Sequence, residues 1–313
     1  MSGVHTLTAA RSPSRPGPGP MPDALLRALD LTVRRRVEGL LAGDYRSSTL
    51  GEGTELAQVR PYQPGDDVRQ IDWNVTARMV EPHVRVHIAE RALATWLVLD
   101  TSASMTFGTA DRRKADVAEG VALAVGHVAS RRGNRLGLVT FGDGRPRVLP
   151  PRQGRTGLLG VLLALRAEPD GERVGATSLG EALTRTARYA RQRALVVCVS
   201  DFRGLRDWRL PMLELSGRHD VVAVEVRDRR EQELPDIGEV WLVDPETGRQ
   251  LRVDTGSRTL RERFAAEAAE ERAALGRALR SLGADHIVLS TAGDWLRPLA
   301  AALRRRTGRR NPR

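Results

Sequence analysis

From about Ala92 onward, apolar runs of five or six residues alternate with stretches whose apolar positions recur at helical spacing. That is the pattern of buried strands separated by amphipathic helices. The runs predict strands at Thr95 to Asp100, Arg135 to Phe141, Ala194 to Ser200, Asp220 to Val226 and His286 to Leu289. The stretches between them predict helices at Lys114 to Ser130, Gly157 to Arg166, Leu179 to Arg191, Trp208 to Leu215 and Leu260 to Leu282. Because the strand runs are apolar at successive positions and bounded by Gly, Asp or Arg, both of their faces are covered. The fold class is therefore α/β, Rossmann-like, with a doubly wound and mostly parallel sheet. Glu239 to Val243 and Gln250 to Val253 flank Asp244-Pro-Glu-Thr-Gly248, a turn composition that predicts an edge hairpin. No internal repeat recurs at a fixed period.

Upstream the pattern changes. Pro22 to Leu41 predicts an arginine-rich helix, followed by Gly- and charge-rich connections with short extended runs such as Val84 to His87. The expected organisation is a disordered Pro- and Gly-rich tail over 1–20, an added N-terminal subdomain over 21–91, the α/β domain over 92–303 and a basic tail over 304–313.

Composition narrows the function classes. No apolar stretch approaches the roughly 20 residues that span a bilayer, and the first twenty residues lack the apolar core of a signal peptide. The single cysteine, Cys198, excludes an intramolecular disulfide and a zinc site built on paired cysteines, and it lies in an apolar strand. A cytoplasmic protein is expected. The formal net charge is +11, yet of 50 basic residues only Lys114 is lysine and the arginines are spread along the chain. The one basic cluster, Arg304 to Arg306 with Arg309 and Arg310, has little aromatic interleaving. A nucleic-acid-binding scaffold is the alternative reading, not the first.

Candidate chemistry gathers where the predicted strands end. Leu97 to Asp100 runs straight into Asp100-Thr-Ser-Ala-Ser104, an Asp-x-Ser-x-Ser loop, and the strand at Leu195 to Ser200 ends in Asp201. Between them, Gly175-Ala-Thr-Ser178 opens the helix at Leu179, with Thr177 or Ser178 as its cap. In open parallel sheets, ligands gather at such carboxyl ends. Asp100, Ser102, Ser104, Thr177 and Asp201 offer only oxygen, which suits one hard divalent cation: magnesium first, calcium or manganese next, and neither zinc nor copper. Neutral hydroxyls leave such an ion much of its charge and an open position for a carboxylate from another protein.

This arrangement resembles the metal-ion-dependent adhesion site of von Willebrand factor A domains, and all five positions match. A second resemblance covers most of the chain. Arg60-Pro-Tyr-Gln-Pro-Gly-Asp-Asp-Val-Arg-Gln-Ile-Asp-Trp-Asn-Val-Thr-Ala-Arg78, with Gly51-Glu-Gly-Thr-Glu55, Leu99-Asp-Thr-Ser-Ala-Ser-Met105 and Ser200-Asp-Phe202, is similar to the bacterial family called domain of unknown function 58. That resemblance implies a von Willebrand factor A-like fold and association with MoxR-type AAA+ ATPases, thought to assist assembly or maturation of other proteins. Within the motif Arg60, Tyr62, Gly65, Asp66, Arg69, Asp72, Trp73 and Arg78 read as structural. Gly65 serves a turn, Asp66, Asp67 and Asp72 alternate with Arg60, Arg69 and Arg78 as ion pairs, and Trp73 is expected to bury beside them.

Enzyme readings fail on residue type. A haloacid-dehalogenase-type phosphotransferase needs an aspartate where Ser102 stands, and a serine hydrolase needs glycines flanking its nucleophile that Ser102 and Ser104 lack. Neither a Walker loop nor a dinucleotide fingerprint is present. His83 and His87 fall on a predicted strand as structural histidines rather than a metal pair. The expected protein is non-catalytic and binds a partner through an acidic side chain.

Overall fold

The computed structural model describes residues 5–6, 17–23, 26–27, 55–88, 94–130, 134–142, 146–166, 178–244 and 248–305. The chain divides into two units, Leu41–Ala92 and the remainder. The helix expected over Pro22 to Leu41 and the arginines beyond 305 lie largely or wholly outside the described residues.

The larger unit is built on a six-stranded sheet. Its strands are β4 (Ala94–Asp100), β5 (Arg135–Phe141), β6 (Val148–Gln153), β7 (Ala194–Ser200), β8 (Asp220–Arg227) and β11 (Asp285–Ser290), in the spatial order β11-β8-β7-β4-β5-β6. All neighbours are parallel except β6, which runs antiparallel to β5. Its helices are α2 (Lys114–Ser130), α3 (Gly154–Arg166), α4 (Leu179–Tyr189), α5 (Arg209–Arg218), α6 (Arg258–Ser281) and α7 (Leu296–Arg305).

Burial at successive strand positions explains the double winding. Trp96, Val98, Val196, Cys198, Val221 and Ala223 share one face with Leu183 of α4, Met212 and Leu215 of α5 and Leu279 of α6. Their alternating neighbours Leu97, Leu99, Val197, Val199, Val222 and Val224 are equally buried. These take the opposite face, against which α2 packs with Val117, Val121 and Val125. Truncating one such leucine to alanine costs about 2–5 kcal/mol.

Several elements were not expected from the pattern, among them a strand and a helix of the larger unit. β6 contains Pro150 and Pro151, which have no N–H to give a ladder, so its sequence does not look like a strand; the structure places it at the sheet edge, with a register shift against Leu136 and Leu138. α7 continues through Arg305, past the expected start of the basic tail. The predicted edge hairpin is present as β9 (Glu239–Val243) and β10 (Gln250–Asp254), but not on an edge of the main sheet. It forms a separate sheet with β1 (His5–Thr6), which runs parallel to β9. Pro18, also within the expected tail, accepts a hydrogen bond from Trp295 Nε1 at 2.7 Å.

The Leu41–Ala92 unit has β2 (Glu55–Pro61) antiparallel to β3 (His83–Ile88), joined through a turn, a short 3-10 helix and α1 (Trp73–Met79). Among the described residues no helix is long and apolar enough to cross a membrane.

Candidate metal centre

Strand order places a switch point between β4 and β7. From β4 the chain first builds outward to β5 and β6, then returns to the other side of β4 to add β7, β8 and β11. Loops leaving β4 and β7 therefore diverge to opposite faces and leave a crevice at the carboxyl ends. Asp100 ends β4 and Asp201 directly follows β7.

Backbone geometry shapes the first loop. Thr101 donates from both its N–H and its Oγ1 to Phe141 O, each at 2.8 Å, tying the loop to β5. Asp100 Oδ1 accepts from Ser102 N at 2.9 Å, and Asp100 Oδ2 accepts from Ser200 Oγ at 2.5 Å. A 3-10 turn over Ala103–Thr106 then brings Ser102 Oγ and Ser104 Oγ to 3.1 Å. Gly142 makes this approach feasible. Its φ is +108°, and a Cβ there would stand 2.4 Å from Ser102 N.

Asp201 closes the site from the other side. Its Oδ1 accepts from Arg203 N at 2.9 Å, and Ser104 hydrogen-bonds to its carboxylate. Phe202 sits at φ 55°, in the left-handed region, with its ring edge-on to Trp208. Lys114, the first residue of α2, is fully buried and donates to Asp201 Oδ2 at 2.6 Å and to Glu231 Oε1 at 2.7 Å. The two aspartates are tuned in opposite directions. Burial, together with the charge of Asp201, pushes the Asp100 carboxyl up to about 6 against the hydrogen bonds from Ser102 and Ser200. Burial also works against charge on Asp201, but the Lys114 ammonium and the hydrogen bonds from Lys114, Arg203 N–H and Ser104 hold it below the usual carboxylate range.

Of the five predicted ligands, the structure brings Asp100, Ser102, Ser104 and Asp201 together; Thr177 lies outside the described residues. The helix after it is capped by Ser178, whose side chain accepts from Glu181 N at 3.1 Å. The donor set fits a hard ion. Two cis ligands at the usual magnesium–oxygen distance are about 3 Å apart, which matches the 3.1 Å between the two hydroxyls. Asp100 and Asp201 each have both oxygens engaged by protein donors, so each acts on an ion through water or by giving up a donor. Among the described residues no group of three or more His, Cys, Asp or Glu side chains could hold a metal, so a cation here depends on the serines.

Lys114, Glu231, Ser200 and Gly142 were not singled out as site residues. For Lys114 a signal existed, its being the one lysine of the chain. Glu231 and Gly142 carry none, because only the fold brings them to the crevice. Beside the site, Asp201, Arg203, Arg206, Arg227, Glu231 and Arg272 line a charged groove.

In the smaller unit the motif behaves differently from expectation. Arg60 and Asp66 form the expected two-pronged pair, Nη1 to Oδ2 at 2.7 Å and Nη2 to Oδ1 at 2.8 Å. Asp67 and Asp72 act as caps: Asp67 accepts from Arg69 N, and Asp72 accepts from Asn74 N and Val75 N at the start of α1. Arg78 lies in the last turn of α1. Gly65 turns at φ +108°, and Tyr62 N donates to Pro82 O. Trp73 does not bury; it is 71% exposed. In a two-turn helix whose inward side is taken by Asp72, Val75 and Thr76, the first residue points outward. His83 lies on β3 and donates from Nδ1 to Glu81 O, as a structural histidine does. Cys198 is buried in β7, where burial pushes its thiol up and leaves it unreactive.

Comparison with known proteins places these features in a family. Residues 58–274 match the model described as "Protein of unknown function DUF58". The uncharacterized protein Rv1480 of Mycobacterium tuberculosis is 43% identical over 276 residues, 87% of this chain and 86% of that protein, and Mb1516 of Mycobacterium bovis matches equally. A conserved hypothetical protein, BatB, from Bacteroides thetaiotaomicron superposes with a TM-score of 0.44 at 14% identity, over 68% of this chain and 98% of that one. A von Willebrand factor type A structure from Catenulispora acidiphila gives a TM-score of 0.39 at 15% identity, over 70% of this chain and 42% of that one. The chain belongs to the DUF58 family of proteins of unknown function.

Proposed function

We propose that this protein is a non-catalytic, divalent-metal-dependent protein-interaction module of the cytoplasm. The observation that carries the reading is the meeting of Asp100, Ser102, Ser104 and Asp201 at the switch point, with the two serine hydroxyls 3.1 Å apart. Ser102, Ser104 and Asp201, with Thr177, would hold one cation, magnesium by preference, while Asp100 backs it through water. When bound, the cation supplies positive charge with room for an outside carboxylate. The chain's own residues do the rest. Asp100 and Ser200 fix the loop, and the groove arginines Arg203, Arg206, Arg227 and Arg272 offer donors to an approaching acidic segment. Ser102 Oγ meets Ser104 Oγ and Ser200 Oγ donates to Asp100, oxygen partners rather than a nitrogen base, which supports binding over acyl transfer.

The resemblance noted from the sequence suggests the partner, a MoxR-type AAA+ ATPase that the protein would serve as adaptor in assembly or maturation of other proteins. Affinity capture with the full chain in millimolar magnesium, in chelator and with Asp100→Ala tests the reading. Partner recovery should fall at least tenfold with chelator and with the variant. Equal recovery in all three would overturn the metal bridge. Loss of capture on raising salt, unchanged by chelator, would instead favour the basic-scaffold alternative.

A further inference from the structure

Lys114 is the only lysine in the chain, every other basic residue being arginine, and it has no solvent-exposed surface. Its Nζ lies between Asp201 Oδ2 and Glu231 Oε1, 6.0 Å from the centre of the Phe107 ring. A buried ammonium is tolerated only when paired, and here two carboxylates pair it. Shape matters as well as charge. An ammonium is a compact point charge with donors on all sides, whereas a guanidinium is a broad planar fork that needs a wider slot. In a chain that otherwise uses arginine, this position has kept the smaller cation.

Asp201 is thus claimed twice, by the Lys114 ammonium and by the candidate cation. Glu231 is claimed by only one of these, and it is held in place independently of Lys114, since its Oε2 accepts from Asp228 N in a capping box. A second seat for the ammonium is therefore preformed. We propose that Lys114 is a tethered competitor for the metal site. In the free protein it neutralises Asp201; when Ser102, Ser104 and Asp201 take a divalent cation it withdraws wholly to Glu231. The internal cation keeps the affinity of the free protein for metal low, so that loading becomes favourable when a partner's carboxylate adds negative charge to the site. The inference rests on the metal reading above.

Manganese, whose free ion is read by electron paramagnetic resonance, is the probe, titrated into the full-length protein and three variants. Lys114→Met/Glu231→Gln removes one positive and one negative charge, so the net charge around the site is unchanged while the competitor is gone. This double variant should bind manganese at least tenfold more tightly than the unaltered protein, and adding Asp201→Asn should abolish the gain. Glu231→Gln alone keeps the lysine, removes its second seat and should weaken manganese binding. If the double variant does not fold by circular dichroism, this single variant carries the test in the opposite direction. Equal affinity in the unaltered protein and the folded double variant, or unweakened binding by Glu231→Gln, would overturn the competitor role and leave the metal reading standing. Manganese bound by none of them would overturn both.

Discussion

At the carboxyl ends of the strands, each buried charge has donors or a counter-charge aimed at it, whereas at the amino ends His219 is buried with neither ring nitrogen hydrogen-bonded. Asp228, fully buried just after β8, accepts from Thr109 N and Oγ1, Thr291 Oγ1 and Arg230 N at 2.6–2.9 Å. These bonds overcome the penalty of burial and hold its carboxyl below the usual range. His219 precedes β8 at the other end. Burial first, then the charges of Arg218 and Arg193, lower its imidazole to about 4, so it stays neutral. At one end of the sheet, then, His219 is held neutral, while at the other Asp201 and Asp228 keep their charge. The end that retains it is the one with the Asp-x-Ser-x-Ser loop, where prearranged charge has a use beyond stability.

The sharpest way to break this contrast is at Lys114. Lys114→Ala leaves Asp201 and Glu231 buried without their cation, and in the absence of divalent metal it should cost about 3–5 kcal/mol in urea unfolding. A loss under about 1 kcal/mol would mean that the carboxyl end does not depend on its internal pairing. Gly142→Ala comes next. The added Cβ would strike the Ser102 backbone at 2.4 Å in a conformation that L-residues rarely adopt, a penalty of about 2–3 kcal/mol. Because the strain falls on the Ser102 loop, manganese affinity should drop with stability. A stable variant with unaltered metal binding would show that the loop relaxes at no cost.

Much of this was legible in the sequence, and what was not has a physical reason. Four of the five parallel strands are buried at successive positions because both faces are covered, so runs such as Ala194 to Ser200 announce themselves, while β11, at the sheet edge, alternates. Asp100, Ser102, Ser104 and Asp201 stand directly at the ends of such runs, so chain position alone locates them. β6 is hidden by Pro150 and Pro151, residues that an edge tolerates and a central strand does not. Glu231 reaches Lys114 from 117 positions away, a proximity that no local pattern encodes. Trp73 was misjudged because hydrophobicity was taken to imply burial; in a short helix, which side faces inward is decided by neighbours such as Asp72.

Acid should separate the two ends by sign. The folded-state value of about 4 for His219 lies below the ordinary 6.5, so on acidification the unfolded chain takes up the proton first. Its contribution is fully present above about pH 6.5 and is lost as pH falls toward 4, about 1–2 kcal/mol by pH 5. Asp100 acts oppositely over much of the same range. Its carboxyl, raised to about 6 from 3.8, makes the folded state the better proton acceptor, so stability rises as pH falls through 6. The two partly cancel in the unaltered protein, and His219→Leu uncovers them. Between pH 7 and 5 the leucine variant should gain stability relative to the unaltered protein; parallel pH profiles would show that His219 is hydrated or charged in the fold.

The smallest expected effect sharpens the comparison from outside it. Arg258 and Glu262 pair at 2.7 Å, one turn apart on α6, with both side chains largely exposed. The distance is nearly the same as from Lys114 to Asp201, yet water screens the exposed pair and both long side chains lose freedom in forming it. Glu262→Ala should therefore cost no more than about 0.5 kcal/mol, vanishing in molar salt. If it cost as much as Lys114→Ala, hydrogen-bond length rather than burial would set the worth of a charge pair in this protein. The contrast between the two ends of the sheet would then have no electrostatic basis, since that contrast assumes that a cation–carboxylate contact of given length gains its weight from the exclusion of water.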